Sequence, residues 1–141
     1  MKTITSPNLQ AGFEELAHTA DVALRVWGNS PSEFFRQAVL GMYFVIGIQL
    51  ATEKPITKII RLADIDLESL LVSFLNELLF LIEKGFAFDQ MDIQITDITL
   101  EATLSGSKIG GQQKEIKAVT YNDLTIKTKG DILQAIIVFD I

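Results

Sequence analysis

Two acidic residues from opposite ends of the chain, Asp21 and Asp140, each adjoin an apolar extended run, the first where it begins and the second where it stops. Asp140 follows the run Ile132 to Phe139 and precedes Ile141, so a side-chain carboxylate and the Ile141 main-chain carboxylate lie side by side at a strand tip. Asp21 closes His18-Thr19-Ala20-Asp21, just ahead of a second strand pattern, Val22 to Trp27. If the two strand ends meet, three carboxylates converge in a small volume, which repulsion makes costly unless a cation neutralises them. Oxygen-only ligation by Asp21, Asp140 and Ile141 suits Ca²⁺ or Mg²⁺ and suits Zn²⁺ poorly. The plainer alternative is that Asp21 caps a turn or meets solvent and that Asp140 is the polar end of a hydrophobic strand.

His18 is the only histidine, which excludes every scheme that needs two imidazoles. It either orients the turn or supports Asp21 from behind. Lys117, in Ile116-Lys117-Ala118-Val119-Thr120-Tyr121, is either a solvated lysine or a contact for an acidic or phosphate-bearing partner. Glu33 has a capping task, with partner contact second to it. Glu77, within Leu75-Asn76-Glu77-Leu78-Leu79, meets the sheet or solvent, and no catalytic task is assigned to it. Nucleotide-binding glycine loops are absent: Gly106 to Gly111 lacks a Walker lysine and opens no helix.

The elements that must position these residues follow from local chemistry. Phe13 to Leu16 and Val22 to Gly28 read as strands, the second placing Val22, Leu24 and Val26 on one face. Ser30 is an N-cap, Pro31 the first helical position, and Glu33 stands at capping-box spacing. Phe34, Phe35, Ala38, Val39, Met42 and Ile46 then form a helical stripe that Gly47 closes. Pro55 to Leu62 reads as a strand, and Asp66 caps a second helix with a broad leucine-rich face that ends at Lys84-Gly85. Strands are expected at Met91 to Ile95, Thr99 to Leu104, Ile116 to Tyr121, Leu124 to Lys127 and Ile132 to Phe139, with a flexible loop over Gly110 to Gln113. This order predicts one α+β domain over residues 1–141, two helices packed on a largely antiparallel sheet.

Composition narrows the function classes. Apolar residues at 48% and charged residues at 21% give a globular balance, not a disordered one. A net charge of -6 and no Lys/Arg cluster exclude a stand-alone nucleic-acid binder, so any role with RNA runs through a protein partner. The absence of cysteine removes disulfides, thiolate ligands and thiol nucleophiles together. The segment Met1 to Gly12 has no apolar run of the kind that directs export, and Leu67 to Ile82 falls short of the ~20 apolar residues that span a bilayer, so a cytoplasmic protein without membrane contact is expected. Nothing in the pattern sets an oligomeric state.

Taken together, His18-Thr19-Ala20-Asp21 with Arg25-Val26-Trp27-Gly28, Phe74 to Leu79, Lys117 to Tyr121 and the terminal Phe139-Asp140-Ile141 resemble the archease family, in order and over nearly the whole chain. The resemblance implies a small cytosolic, chaperone-like accessory protein, not an enzyme. It assists the GTP- and manganese-dependent RNA ligase, promoting its guanylylation and turnover in tRNA splicing or RNA repair. It implies an α+β fold with an elaborated strand-helix-strand-strand core. It also implies a metal site, commonly calcium with magnesium or manganese as alternatives, at Asp21, Asp140 and the Ile141 carboxylate, and a role for Lys117 and these acids in reaching the ligase. Two departures stand out: Asn122 follows Thr120-Tyr121 where many relatives carry His, and Asn29 stands where relatives often carry Asp. Asn122 hydrogen-bonds but does not titrate. The rival readings are a metal-assisted phosphoester hydrolase and a purely structural interaction module.

Overall fold

The computed structural model describes residues 10–16, 21–121 and 123–141, so His18 and Asn122 lie outside the described residues. The elements are β1 (Gly12–Leu16), β2 (Val22–Gly28), α1 (Pro31–Ile46), β3 (Gln49–Leu50), β4 (Ile56–Ala63), α2 (Leu67–Glu83), β5 (Phe86–Thr96), β6 (Thr99–Gly111), β7 (Ala118–Val119), β8 (Lys127–Lys129) and β9 (Ile132–Asp140). The class is the expected α+β, but the strands divide into two antiparallel sheets. The first runs β1-β2-β9-β7 with β8 also on β9, and the second is built around β6, which pairs with β3, β4 and β5.

Both helices begin where local chemistry places them. Ser30 is extended, and its Oγ accepts the Glu33 N–H at 3.1 Å, which satisfies one of the free donors of the first turn of α1. The Glu33 carboxylate turns instead to Gln37 Nε2 at 2.9 Å and Arg36 at 3.6 Å, because the buried Gln37 amide needs a partner. Asp66 caps α2 by accepting the Ser69 N–H at 2.7 Å. Gly47 ends α1 in the left-handed region at φ 74°, a conformation that costs glycine least.

The helices join the two sheets into one core. α1 packs on β1, β2 and β5, while α2 packs on β4, β5 and β7. Phe35 of α1 stacks on Phe74 of α2, with ring centroids 6.2 Å apart. Val22, Leu24 and Val26 of β2 are buried as expected, and their register partners Phe139, Ile137 and Ala135 of β9 are buried beside them. Each large side chain so buried stabilises the fold by about 1.5–3 kcal/mol. A slip of one residue would turn all of them to the other face, so burial locks the β2–β9 register.

The structure corrects three local expectations. Gly110 and Gly111 are the end of β6 and not a loop: Gly111 pairs with Gln49 of β3, Ile109 pairs with Leu50, and Gly110 falls at the register shift between them. A Cβ at Gly110 would lie 3.2 Å from the Ala51 backbone, a tight approach that glycine accommodates without any shift. The strand expected over Ile116 to Tyr121 shrinks to Ala118–Val119. That expected over Leu124 to Lys127 moves to Lys127–Lys129, because the N–H of Leu124 closes a turn onto Tyr121 and that of Ile126 is taken by Glu68 of α2.

Candidate functional site

Two of the acids flank one rung at an end of the first sheet. Val22 and Phe139 are register partners, so Asp21, one residue before Val22, and Asp140, one residue after Phe139, step off the same rung of neighbouring antiparallel strands. Side chains alternate along a strand, which puts both acids opposite the buried Val22/Phe139 face. On the other flank of β9, Ala118 of β7 is the partner of Asp140, and the Lys117 N–H donates to the Asp140 carbonyl at 2.7 Å. The end of β9 therefore lies between Asp21 and the Lys117 backbone. Asp21 is half-buried, and Asp140, Ile141 and Lys117 are exposed.

The donor set at this end is oxygen only. Among the described residues no three His, Asp or Glu side chains gather as a metal cluster, and Asp21 and Asp140 alone do not complete the coordination shell of a hard cation. Carboxylate oxygens at an exposed strand tip fit a hard cation that keeps part of its coordination shell for water or a partner group. The described residues offer no imidazole or thiolate that would favour a softer metal.

Glu33 is not part of this cluster. It lies in the first turn of α1, beyond Gly28, at the opposite end of β2 from Asp21. The seven residues of that strand span roughly 20 Å. Lys117 also lines a groove of about 480 Å³ between α2 and the segment before β7, with Asn76, Phe80, Glu83 and Ile116 among its walls. Asn76 was given no role by sequence reasoning. Its Oδ1 accepts the Val119 N–H at 3.1 Å and its Nδ2 lies 3.5 Å from the Val119 carbonyl. The available signal was its polarity within an otherwise apolar helical stretch.

Comparison with known proteins agrees with the fold. The model of the archease protein family (MTH1598/TM1083) matches residues 13–141. Protein archease of Methanosarcina acetivorans is 33% identical, covering 96% of this chain and 99% of its own length, and that of Methanosarcina barkeri is 35% identical over 92% and 95%. Among solved structures, an archease from Thermotoga maritima described as a possible chaperone superposes with a TM-score of 0.69 at 32% identity, covering 89% of this chain and 94% of its own. Protein 1598 of Methanobacterium thermoautotrophicum gives 0.67 at 26% identity, over 92% and 98%. The chain belongs to the archease family.

Proposed function

We propose that this chain is a cytoplasmic accessory protein of the GTP- and manganese-dependent RNA ligase, with no turnover of its own. It promotes guanylylation and repeated turnover of the ligase in tRNA splicing or RNA repair. Asp21, Asp140 and the Ile141 carboxylate would hold a divalent cation, calcium in the first instance, and RNA would be met only through the ligase. The observation that carries this reading is the shared rung of Val22 and Phe139, which delivers acids from opposite ends of the chain to one strand tip beside Lys117. Family membership, and the description of the Thermotoga relative as a possible chaperone, support action on a protein partner.

The cation would neutralise the clustered carboxylates and fasten the end of β9. The chain's own residues do the rest: the β2–β9 register would keep the two acids on neighbouring strand ends, and Lys117, one residue ahead of β7, would flank Asp140. Stimulation then requires that this surface bind one state of the ligase more tightly than another.

The test is formation of the ligase–guanylylate by purified cognate ligase with GTP and manganese, with and without this protein. Wild type should stimulate, and folded Asp21→Ala, Asp140→Ala and Lys117→Ala should not. Equal stimulation by the variants, or none by wild type, refutes the proposal. Phosphoester turnover by the protein alone, abolished in Asp21→Ala, would favour the hydrolase reading instead.

A further inference from the structure

We infer that Asn76 is a positioning residue for the strand-tip site, holding β7 and Lys117 in place from α2; its functional consequence rests on the reading proposed above. β7 has only two residues, Ala118–Val119, too short a ladder to fix its own position on β9. α2 supplies the rest. Val119 is buried at 4% exposure, and its N–H finds its acceptor in Asn76 Oδ1 at 3.1 Å, with the longer Nδ2 contact to the Val119 carbonyl completing a clamp on the two peptide groups that flank one residue. A buried peptide N–H needs such a partner.

A second strap lies along the same helix. Glu68, about two turns closer to the helix start, accepts the Ile126 N–H at 3.2 Å. As residue numbers fall along α2 from Asn76 to Glu68, they rise along the strapped segment from Val119 to Ile126, so the segment runs antiparallel to the helix. Between the straps, Leu124 N–H closes onto the Tyr121 carbonyl at 3.0 Å. On either side of Asn122 the segment is thus tied to α2, at Val119 and at Ile126.

The upstream end of this connection is the site. Val119 pairs with Phe139, Ala118 pairs with Asp140, and the Lys117 N–H reaches the Asp140 carbonyl at 2.7 Å. A continuous run of contacts leads from Asn76 through Val119 to the backbone of a proposed metal ligand. An amide suits this post because it offers an acceptor and a donor to the N–H and C=O of one residue without adding charge beside the acids.

The test compares wild type with Asn76→Ala and with Asn76→Asp, which keeps an acceptor for the Val119 N–H. Three quantities are read: amide hydrogen exchange, affinity for calcium alone, and stimulation of ligase guanylylation. In Asn76→Ala, exchange at Val119 and Lys117 should accelerate by about ten- to a hundredfold while the β4–β6 amides keep their protection. Calcium affinity should fall by about tenfold, and Asn76→Asp should recover most of both losses. Unchanged Val119 exchange, or loss of protection spread evenly over the molecule, overturns the positioning role. Wild-type calcium affinity and ligase stimulation in a locally opened Asn76→Ala overturn it while leaving the proposed function standing. A wild type that neither binds calcium nor stimulates the ligase overturns the proposed function, and with it the site that Asn76 would position.

Discussion

Val22 and Phe139 face each other across β2 and β9 with both side chains buried, and each is adjoined on the same side of the rung by an acid, Asp21 and Asp140. The apolar pair belongs to the core and the acidic pair to the surface, so packing of the first determines the spacing of the second. Phe139 is fully buried, and Phe139→Ala should cost about 3–5 kcal/mol. Urea denaturation followed by circular dichroism measures it as a lowered midpoint at unchanged slope. Phe139→Leu should lose much less.

The cap of α2 makes stability depend on acid. Hydrogen bonds from the Ser69 side chain, and then from its backbone N–H, hold the Asp66 carboxyl below its ordinary value of 3.8. Folding therefore favours the carboxylate, and on acidification the unfolded chain takes up this proton first. The contribution is whole above the ordinary aspartate value and is lost as pH falls through the depressed folded value. Asp66→Asn, a neutral cap, should melt below wild type by a constant margin between about pH 5 and pH 7, and the margin should close below 3.8. A margin independent of pH contradicts the carboxylate's role.

Tyr43 makes the complementary case at alkaline pH. Its hydroxyl accepts the Phe88 N–H at 3.2 Å. Burial pushes the phenol from 10.0 up to about 12, opposed by the Phe88 hydrogen bond and aided by the Asp89 charge. The neutral phenol's contribution is thus full below 10.0 and is lost as pH rises through about 12. An ultraviolet phenolate titration should show a transition near 12 that is absent in Tyr43→Phe. At neutral pH that variant should be about 1–3 kcal/mol less stable, because the Phe88 N–H is left without its acceptor.

Features set by a few neighbouring residues were legible in the sequence. Ser30, Pro31, Gly47 and Asp66 mark helix ends through hydrogen bonds or backbone angles that lie within a turn of the helix. The alternation of Val22, Leu24 and Val26 identified the buried face of β2 for the same reason. What depends on distant partners was not legible. Gly110 and Gly111 look like a loop until β3, far back in the chain, comes to pair with Ile109 and Gly111 on either side of Gly110. Ile116 to Tyr121 has a strand composition, yet only Ala118 and Val119 pair with β9, and the Val119 N–H turns to Asn76 of α2, a partner far away in the chain. The acids themselves were visible as strand ends. Their adjacency is a property of the β2–β9 register, which burial of six apolar side chains enforces.

A calcium titration by calorimetry on wild type, Asp21→Asn, Asp140→Asn and the double variant addresses that adjacency. Two acids that share one ion act as a unit, so each single substitution should remove most of the affinity and the double variant should lose little more. Folding should be checked in each variant by denaturation. Absence of calcium binding by wild type, or losses that simply add, would contradict a common site at the tips of β2 and β9.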